Sequence, residues 1–309
     1  MSMTSSALVS VILLTYNRAD WLQVAIESTL AQTYAHFELL ILDNCSTDHT
    51  SEVVAKFHDP RIRYIRHHCN IGHSANWAYG VHLARGEYLS FLCDDDFYRQ
   101  DFLYARMQAF DKYKDIQAVF SNFEYCDERG QVTSESPPPF DMEQVICRRA
   151  LLACVARNLW FVGATLFKRE LILQCWEDSM RAGRAGDTAL KVHIALDAHN
   201  RVAWIKDKGL VMRCHPNQDS MIGGKAVLLG HVAAFHEPLM FGTYTWHDKR
   251  LLRRGAARAY AVLRKMAWED GDIGVARRCL IRQLTAFPYL PSIYFTVSKI
   301  KRCFLERKA

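Results

Sequence analysis

Gly86-Glu87-Tyr88-Leu89-Ser90-Phe91-Leu92-Cys93-Asp94-Asp95-Asp96-Phe97-Tyr98-Arg99-Gln100-Asp101 is a short apolar run that ends abruptly in three carboxylates. Tyr88 to Leu92 has the pattern of a strand buried on both faces. Three adjacent carboxylates repel one another, so a fold keeps them only where positive charge arrives. Oxygen ligands at the carboxyl end of a buried strand suit a hard divalent cation, Mg2+ or Mn2+, which often carries substrate phosphates. The alternative is a solvated acidic turn that caps the next helix, with Asp96 or Asp101 as N-cap.

The flanking chain favours a sheet. Leu8–Leu14 and Phe37–Leu42 read as buried strands and Arg61–Arg66 as a third. Helices are expected from Asp20 to about Gln32, from Asp48 to about Phe57 and from Ser74 to Ala84. Leu22, Ile26 and Leu30 share one face of the first helix. Alternating strands and helices predict a mostly parallel α/β sheet with right-handed crossovers, and ligands then gather beyond the carboxyl ends of its strands. Asn17, Asp43 and Asp95 belong to that edge. Beyond the triplet the pattern gives a helix over 102–113, a strand over 116–123 and a turn at 127–130. Residues 131–147, interrupted by Pro137-Pro138-Pro139, read as a mobile loop. A helix over 145–155, a strand-like run over 160–167, a helix from Asp187 to His199 and a short strand over 202–205 follow. Residues 213–220 read as a polar loop, and from Lys225 onward the pattern is helical throughout.

The chain lacks both a Gly-x-Gly-x-x-Gly and a Gly-x-x-x-x-Gly-Lys-Ser/Thr run, which disfavours dinucleotide and P-loop enzymes. Its 309 residues allow one large domain or one domain with an appendage, and no stretch approaches the length of a membrane-spanning helix. Met1–Ser6 does not read as a secretory signal. The ten cysteines form no Cys-x-x-Cys pair, which argues against a structural zinc site and for a reducing, cytoplasmic setting. Charge is divided unevenly. Residues 247–309 hold 15 Lys and Arg against 5 Asp and Glu, while residues 1–246 hold 24 against 28. A basic tail on a mildly acidic body points to an anionic surface.

Thr15-Tyr16-Asn17-Arg18 after one strand, Asp43-Asn44-Cys45-Ser46-Thr47-Asp48 after the next, Asn70-Ile71-Gly72, and Gly86-Glu87-Tyr88 before the acidic cluster occur in that order. Together they resemble the family 2 inverting glycosyltransferases, strongly over residues 8–104 and more weakly from Asp187 to Ser220. The resemblance implies a GT-A fold with a single Rossmann-like sheet. Its catalytic domain would span 1–224, with a nucleotide-sugar half to about 125 and an acceptor half beyond it. A basic helical extension would occupy 225–309. It also implies transfer, with inversion, from a UDP- or dTDP-linked sugar to a glycan or lipid-linked acceptor, as in cell-surface polysaccharide or glycolipid synthesis.

Carried over residue by residue, Thr15, Tyr16 and Arg18 would line the nucleotide pocket, with Asp43 and Asn44 facing the base and ribose and Asp94 beside them. The family pattern has two acids at 43 and 44; here the second is an amide. Mn2+ or Mg2+ would be held by Asp95, with Asp96 and His215 nearby. Cys93 stands where the first acid of the metal motif is usual, and a thiol is a poor substitute for it. Asp187 would be the general base, or else a helix N-cap, and Gly186 replaces the glutamate that usually precedes it. Trp160 and Phe161 are candidates for an acceptor wall or for core. Residues 246–309 carry basic residues between apolar ones at helical spacing, which suits an anionic membrane surface, and the body makes nucleic acid an improbable partner. The competing readings are a nucleotidyltransferase and a degenerate sugar-nucleotide binding module; the second is motivated by Asn44, Cys93 and Gly186.

Overall fold

The computed structural model describes residues 7–180, 185–216, 218 and 224–286. The stretches around Gly183 and Ser220, and the amphipathic segment expected over 293–304, lie outside them.

Among the described residues ten strands form one sheet. They are β1 (Val9–Thr15), β2 (Phe37–Asp43), β3 (Ile62–Arg66), β4 (Tyr88–Cys93), β5 (Phe97–Tyr98), β6 (Ala118–Cys126), β7 (Val132–Glu135), β8 (Gln144–Ile146), β9 (Thr165–Lys168) and β10 (Val202–Arg213). The order is β3-β2-β1-β4-β9-β6-β10-β5, with β7 on β6 and β8 on β10. β3, β2, β1 and β4 are parallel, as are β6 and β10, while β9 runs antiparallel between β4 and β6. The carboxyl ends of the parallel strands therefore lie along one edge.

Both faces are covered, and β1 shows how. Val9, Val11 and Leu13 enter one core with α1 (Ala19–Leu30), α2 (Thr50–Ala55) and α4 (Phe102–Lys112). Ile12 and Leu14 enter the other, with α3 (His73–Leu83), α5 (Arg148–Arg157), α6 (Arg169–Met180) and α7 (Gly186–Leu196). This period-2 division is why the strand is apolar at nearly every position. Gly80 lets α3 settle on the sheet, since a Cβ there would stand 2.6 Å from Leu42 and 2.7 Å from Ile12.

Four expectations are corrected. Residues 131–147 are not simply a loop; they contribute β7 and β8, which pair with β6 and β10. β7 is the return strand of a hairpin with β6 across the turn at 127–130, while β8 is ordered by β10, a partner far along the chain that a Pro-rich sequence does not announce. The helix expected from Val145 begins at Arg148, and Val162–Ala164 is a 3-10 turn before β9. Finally, β10 does not stop at Ile205 but runs to Arg213, taking up the polar Lys206-Asp207-Lys208-Gly209 in a register shift between Ile205 and Leu210. Arg106, fully buried on α4, closes that irregularity. It donates to Asp207 Oδ2 at 2.8 Å, to Ser121 Oγ and to the carbonyls of Phe102 and Ala164.

The C-terminal helices α8 (Gly224–Phe241), α9 (Trp246–Glu269) and α10 (Ile273–Ala286) pack on the main body. Phe235, Leu252 and Ala256 belong to the same core cluster as β1 and α7. The Arg148 guanidinium on α5 meets Asp248 at 2.6 Å, and Asp248 also completes a capping box with Thr245 at the start of α9. No described helix is long and apolar enough to cross a membrane.

Candidate active site

The acidic triplet forms a tight turn between β4 and β5, closed by the Asp96 amide donating to the Cys93 carbonyl at 3.2 Å. All three carboxylates are buried. Cations meet them from two directions. Arg18, at the exit of β1, donates through Nη1 to Asp94 Oδ1 at 3.1 Å and to Asp95 Oδ2 at 2.7 Å. Arg213, at the end of β10, donates its amide to Asp96 Oδ1 at 2.9 Å and its Nε to the Asp95 carbonyl at 3.0 Å. His215 Nε2 lies 3.0 Å from Asp95 Oδ2, and its ring packs 4.2 Å from Trp21.

The capping alternative does not hold for this turn. Asp101 stands at the N-cap of α4, but its carboxylate accepts from Thr33 Oγ1 and caps no helix amide.

Two cations do not neutralise this cluster. Burial and then the Asp95 charge push the Asp94 carboxyl up to about 7, against the opposing pull of Arg18 and the Tyr16 amide. Burial and Asp95 likewise push Asp96 well above the usual carboxylate range. Burial, with the three acids behind it, raises the Cys93 thiol strongly, so it stays protonated unless a cation arrives.

The donor set fits a divalent cation. Ligand atoms of Cys93, Asp95 and Asp96 lie within 4.8 Å of one another, and His215 Nδ1 is buried with no hydrogen-bond partner among the described residues. Asp95 and Asp96 supply the hard oxygens that Mg2+ or Mn2+ prefer, and Cys93 is the weak member.

Two cavities adjoin the turn. One, of about 590 Å³, is lined by Thr15, Tyr16, Arg18, Asn44, Asn70 and Asp94 among others. The other, of about 220 Å³, runs from Asp95 and Asp96 to Asp187 and has an apolar wall of Trp77, Phe91, Phe161 and Val227. Arg18, His73 and Cys93 border both. Thr15 also lines the first cavity, and its hydroxyl helps hold the Asp94 carboxyl down.

Not every expected residue faces a cavity. Asp43 is fully buried and holds protein groups: it accepts from the Ser46 amide and from the Tyr64 hydroxyl, each at 2.7 Å. Asn44 does line the larger cavity, but its amide also pins the next loop. Its Oδ1 accepts the Ile71 amide at 2.9 Å and its Nδ2 donates to Asn70 at 2.9 Å. Trp160 is core, with its indole N–H bonded to Thr165, while Phe161 is the one of the pair at the cavity.

Asp187 lies in the first turn of α7, whose N-cap position is Ala185, so it is not the cap. Its Oδ2 is 3.2 Å from Lys191 Nζ. Burial works against its charge, but Lys191, His231 and the Thr188 amide outweigh that and hold the carboxyl below its ordinary value.

Lys191, His231 and Arg213 were not singled out by pattern. Lys191 sits inside the run Ala189-Leu190-Lys191-Val192, and that apolar setting was its available signal. Arg213 follows Leu210-Val211-Met212, which a longer strand would have absorbed.

The model of glycosyl transferase family 2 matches residues 10–167. The chain belongs to that family. The match takes in β1, both cavity-lining loops and the acidic turn. Among curated relatives, Bacillus subtilis CgeD is 37% identical over 200 residues, which is 58% of this chain and 44% of that protein. The chain thus spans less than half of that relative's length. Among solved structures, S. aureus TarS in complex with UDP-GlcNAc superposes with a TM-score of 0.68 at 17% identity, over 90% of this chain and 81% of that one. The mannosyltransferase PcManGT from Pyrobaculum calidifontis, in complex with GDP-Man and Mn2+, gives 0.60 at 17% identity, over 97% and 81%. The GT-A-type fold expected from the sequence is confirmed by this likeness.

Proposed function

We propose that the chain transfers a sugar from a nucleotide-diphosphate donor, UDP- or dTDP-linked, to an acceptor hydroxyl with inversion and with dependence on a divalent cation. The observation that carries this reading is the shared cavity: the metal-type carboxylates Asp95 and Asp96 and the isolated carboxylate Asp187 line one space, beside a second space walled by Thr15, Tyr16 and Asn44. Asp95 and Asp96, with Asp94 behind them, would hold Mn2+ or Mg2+, which supplies charge neutralisation at the donor diphosphate when bound. Arg18 adds a fixed positive charge where the two cavities meet. Asp187 takes the acceptor hydroxyl proton as the new glycosidic bond forms and the bond to the diphosphate breaks. One displacement inverts the anomeric centre.

A thermal-shift screen tests the donor class. Nucleotide sugars are expected to raise the melting temperature only with Mn2+ or Mg2+ present. Ligand at 100 times Kd adds about 2.7 kcal/mol, a shift of several degrees for a domain of this size. No shift with any nucleotide sugar and metal would remove the donor assignment. Release of nucleotide diphosphate on adding acceptor separates an enzyme from a binding module.

The acceptor is proposed to be a glycan or a lipid-linked sugar met at an anionic membrane surface on the cytoplasmic side. Support comes from the exposed face of α9, where Arg250, Arg253 and Arg254 lie near Trp246, which is 64% exposed. The Arg250 guanidinium stacks 5.5 Å over that ring. Because Leu252 and Ala256 of the same helix are in the main core, removing the tail would damage the fold, and substitution is the sounder test. In co-sedimentation with anionic vesicles, Arg250→Gln, Arg253→Gln and Arg254→Gln combined are expected to weaken binding by roughly 100-fold, at about 1 kcal/mol per charge. Undiminished binding, or none by the wild type, would leave α9 as packing.

A further inference from the structure

Lys191 is out of place for a helix lysine. It is 3% exposed, on a helix whose neighbouring Ala189, Leu190 and Val192 are also buried. An unpaired ammonium is costly in such a setting, so its partners are obligatory. The described structure gives it two. Nζ donates to the Trp160 carbonyl at 3.2 Å and to Asp187 Oδ2 at 3.2 Å. The first contact ties the ammonium to the segment that leads into the 3-10 turn and Phe161, a wall of the same cavity. The second ties it to Asp187, the carboxylate that lines that cavity together with Asp95 and Asp96 of the acidic turn.

We propose that Lys191 is a positioning residue for the acceptor base: braced on the Trp160 carbonyl, its buried ammonium fixes the Asp187 carboxylate at the cavity and keeps it ionised. This deepens the transfer reading above and rests on it for the word base. The contact itself does not.

The surrounding groups agree. His231 reaches the same cavity from α8, giving the C-terminal helices a place at the site. Burial holds His231 below its ordinary value, with Asp187 pulling the other way and Lys191 adding to the depression. Lys191 is the larger of the two cationic influences on Asp187, and His231 adds to it only while its imidazole is protonated. Across the cavity stand Arg18, His73 and Cys93, together with Asp95 and Asp96. α6 meets α7 further along, where Ser179 Oγ lies 3.2 Å from His193 Nδ1. The Trp160 segment offers a carbonyl and no charge.

Removing the ammonium leaves burial as the dominant influence on Asp187, and burial favours the protonated acid. The test follows carbon-13 carboxyl signals of the full chain labelled at aspartate, with the Asp187 signal identified by its loss in Asp187→Asn. In the wild type that signal is expected to stay flat from pH 8 down to about 5, because its midpoint lies below the ordinary value of about 3.9. In Lys191→Met the midpoint is expected to move up by about 2–3 pH units, which brings its titration into that window. Lys191→Arg keeps the charge and is expected to keep the flat response. A wild-type midpoint above about 5 overturns the proposal, even if Lys191→Met fails to fold. So does a folded Lys191→Met whose signal is as flat as the wild type's. Wild-type transfer by Asp187→Asn would instead overturn the base reading and leave the titration result standing.

Discussion

Asp95→Asn is expected to leave the chain folded and to lower sugar transfer by several orders of magnitude. Asparagine keeps the shape of the side chain and can still accept from Arg18 Nη1 and meet His215, both of which bond the Asp95 carboxylate. The fold has reason to tolerate the change, since the Asp95 charge is the largest influence after burial pushing Asp94 and Asp96 up. Removing it relieves repulsion inside a buried cluster, so the metal-free variant should melt no lower than the metal-free wild type. Function has the opposite interest. The same charge is the centre of the donor set, flanked by Cys93 and Asp96 within 4.8 Å. Without it the cation site keeps only the Asp96 carboxylate, a protonated thiol and the neighbouring His215 imidazole, and the donor diphosphate departs uncompensated. Calorimetric titration with Mn2+ checks binding directly, and product formation checks the consequence. Wild-type activity in excess chelator would refute the metal assignment.

The sequence exposed this site unevenly, for physical reasons. Buried parallel strands are apolar at nearly every position, so β1, β2 and β4 were plain, and with them the polar residues at their ends. Asp94, Asp95 and Asp96 were legible because nothing but imported charge explains three adjacent acids after such a strand. What brings that charge was less visible. Arg18 follows its strand directly, but Arg213 reaches the acids only because β10 passes through a polar register shift, which reads as the end of a strand. Asp43 showed the reverse failure. Its place at a strand end suggested a ligand contact, yet its carboxylate is occupied by Ser46 and Tyr64. Sequence position locates the edge of a sheet but not the direction in which each side chain turns. The boundary at 224/225 followed the onset of a continuous helical pattern at Lys225, and such a pattern does not report packing. α8 supplies Val227 and His231 to the cavity, and Phe235 to the main core.

Asp187→Asn is expected to keep donor affinity and to slow transfer by roughly two to four orders of magnitude, the range for loss of a general base. The two effects separate because Asp187 lines only the smaller cavity, away from Thr15, Tyr16 and Asn44. The substitution leaves Lys191 Nζ facing a neutral amide, which costs stability. The carboxylate is 29% exposed, so water moderates that loss. The sign of the pH dependence follows from the lowered carboxyl. An acid held below its unfolded value contributes stability above about pH 4 and loses it as pH falls through the folded value. At neutral pH the wild-type base is therefore already ionised, and the acid side of the rate profile should carry no step from Asp187 above about pH 5. The measurements are donor affinity by calorimetry, transfer rate against pH for both chains, and the anomeric configuration of the product by NMR. Transfer by the variant at the wild-type rate would reduce Asp187 to a partner for Lys191. A retained configuration would rule out the single displacement, because one attack from the acceptor side can only invert.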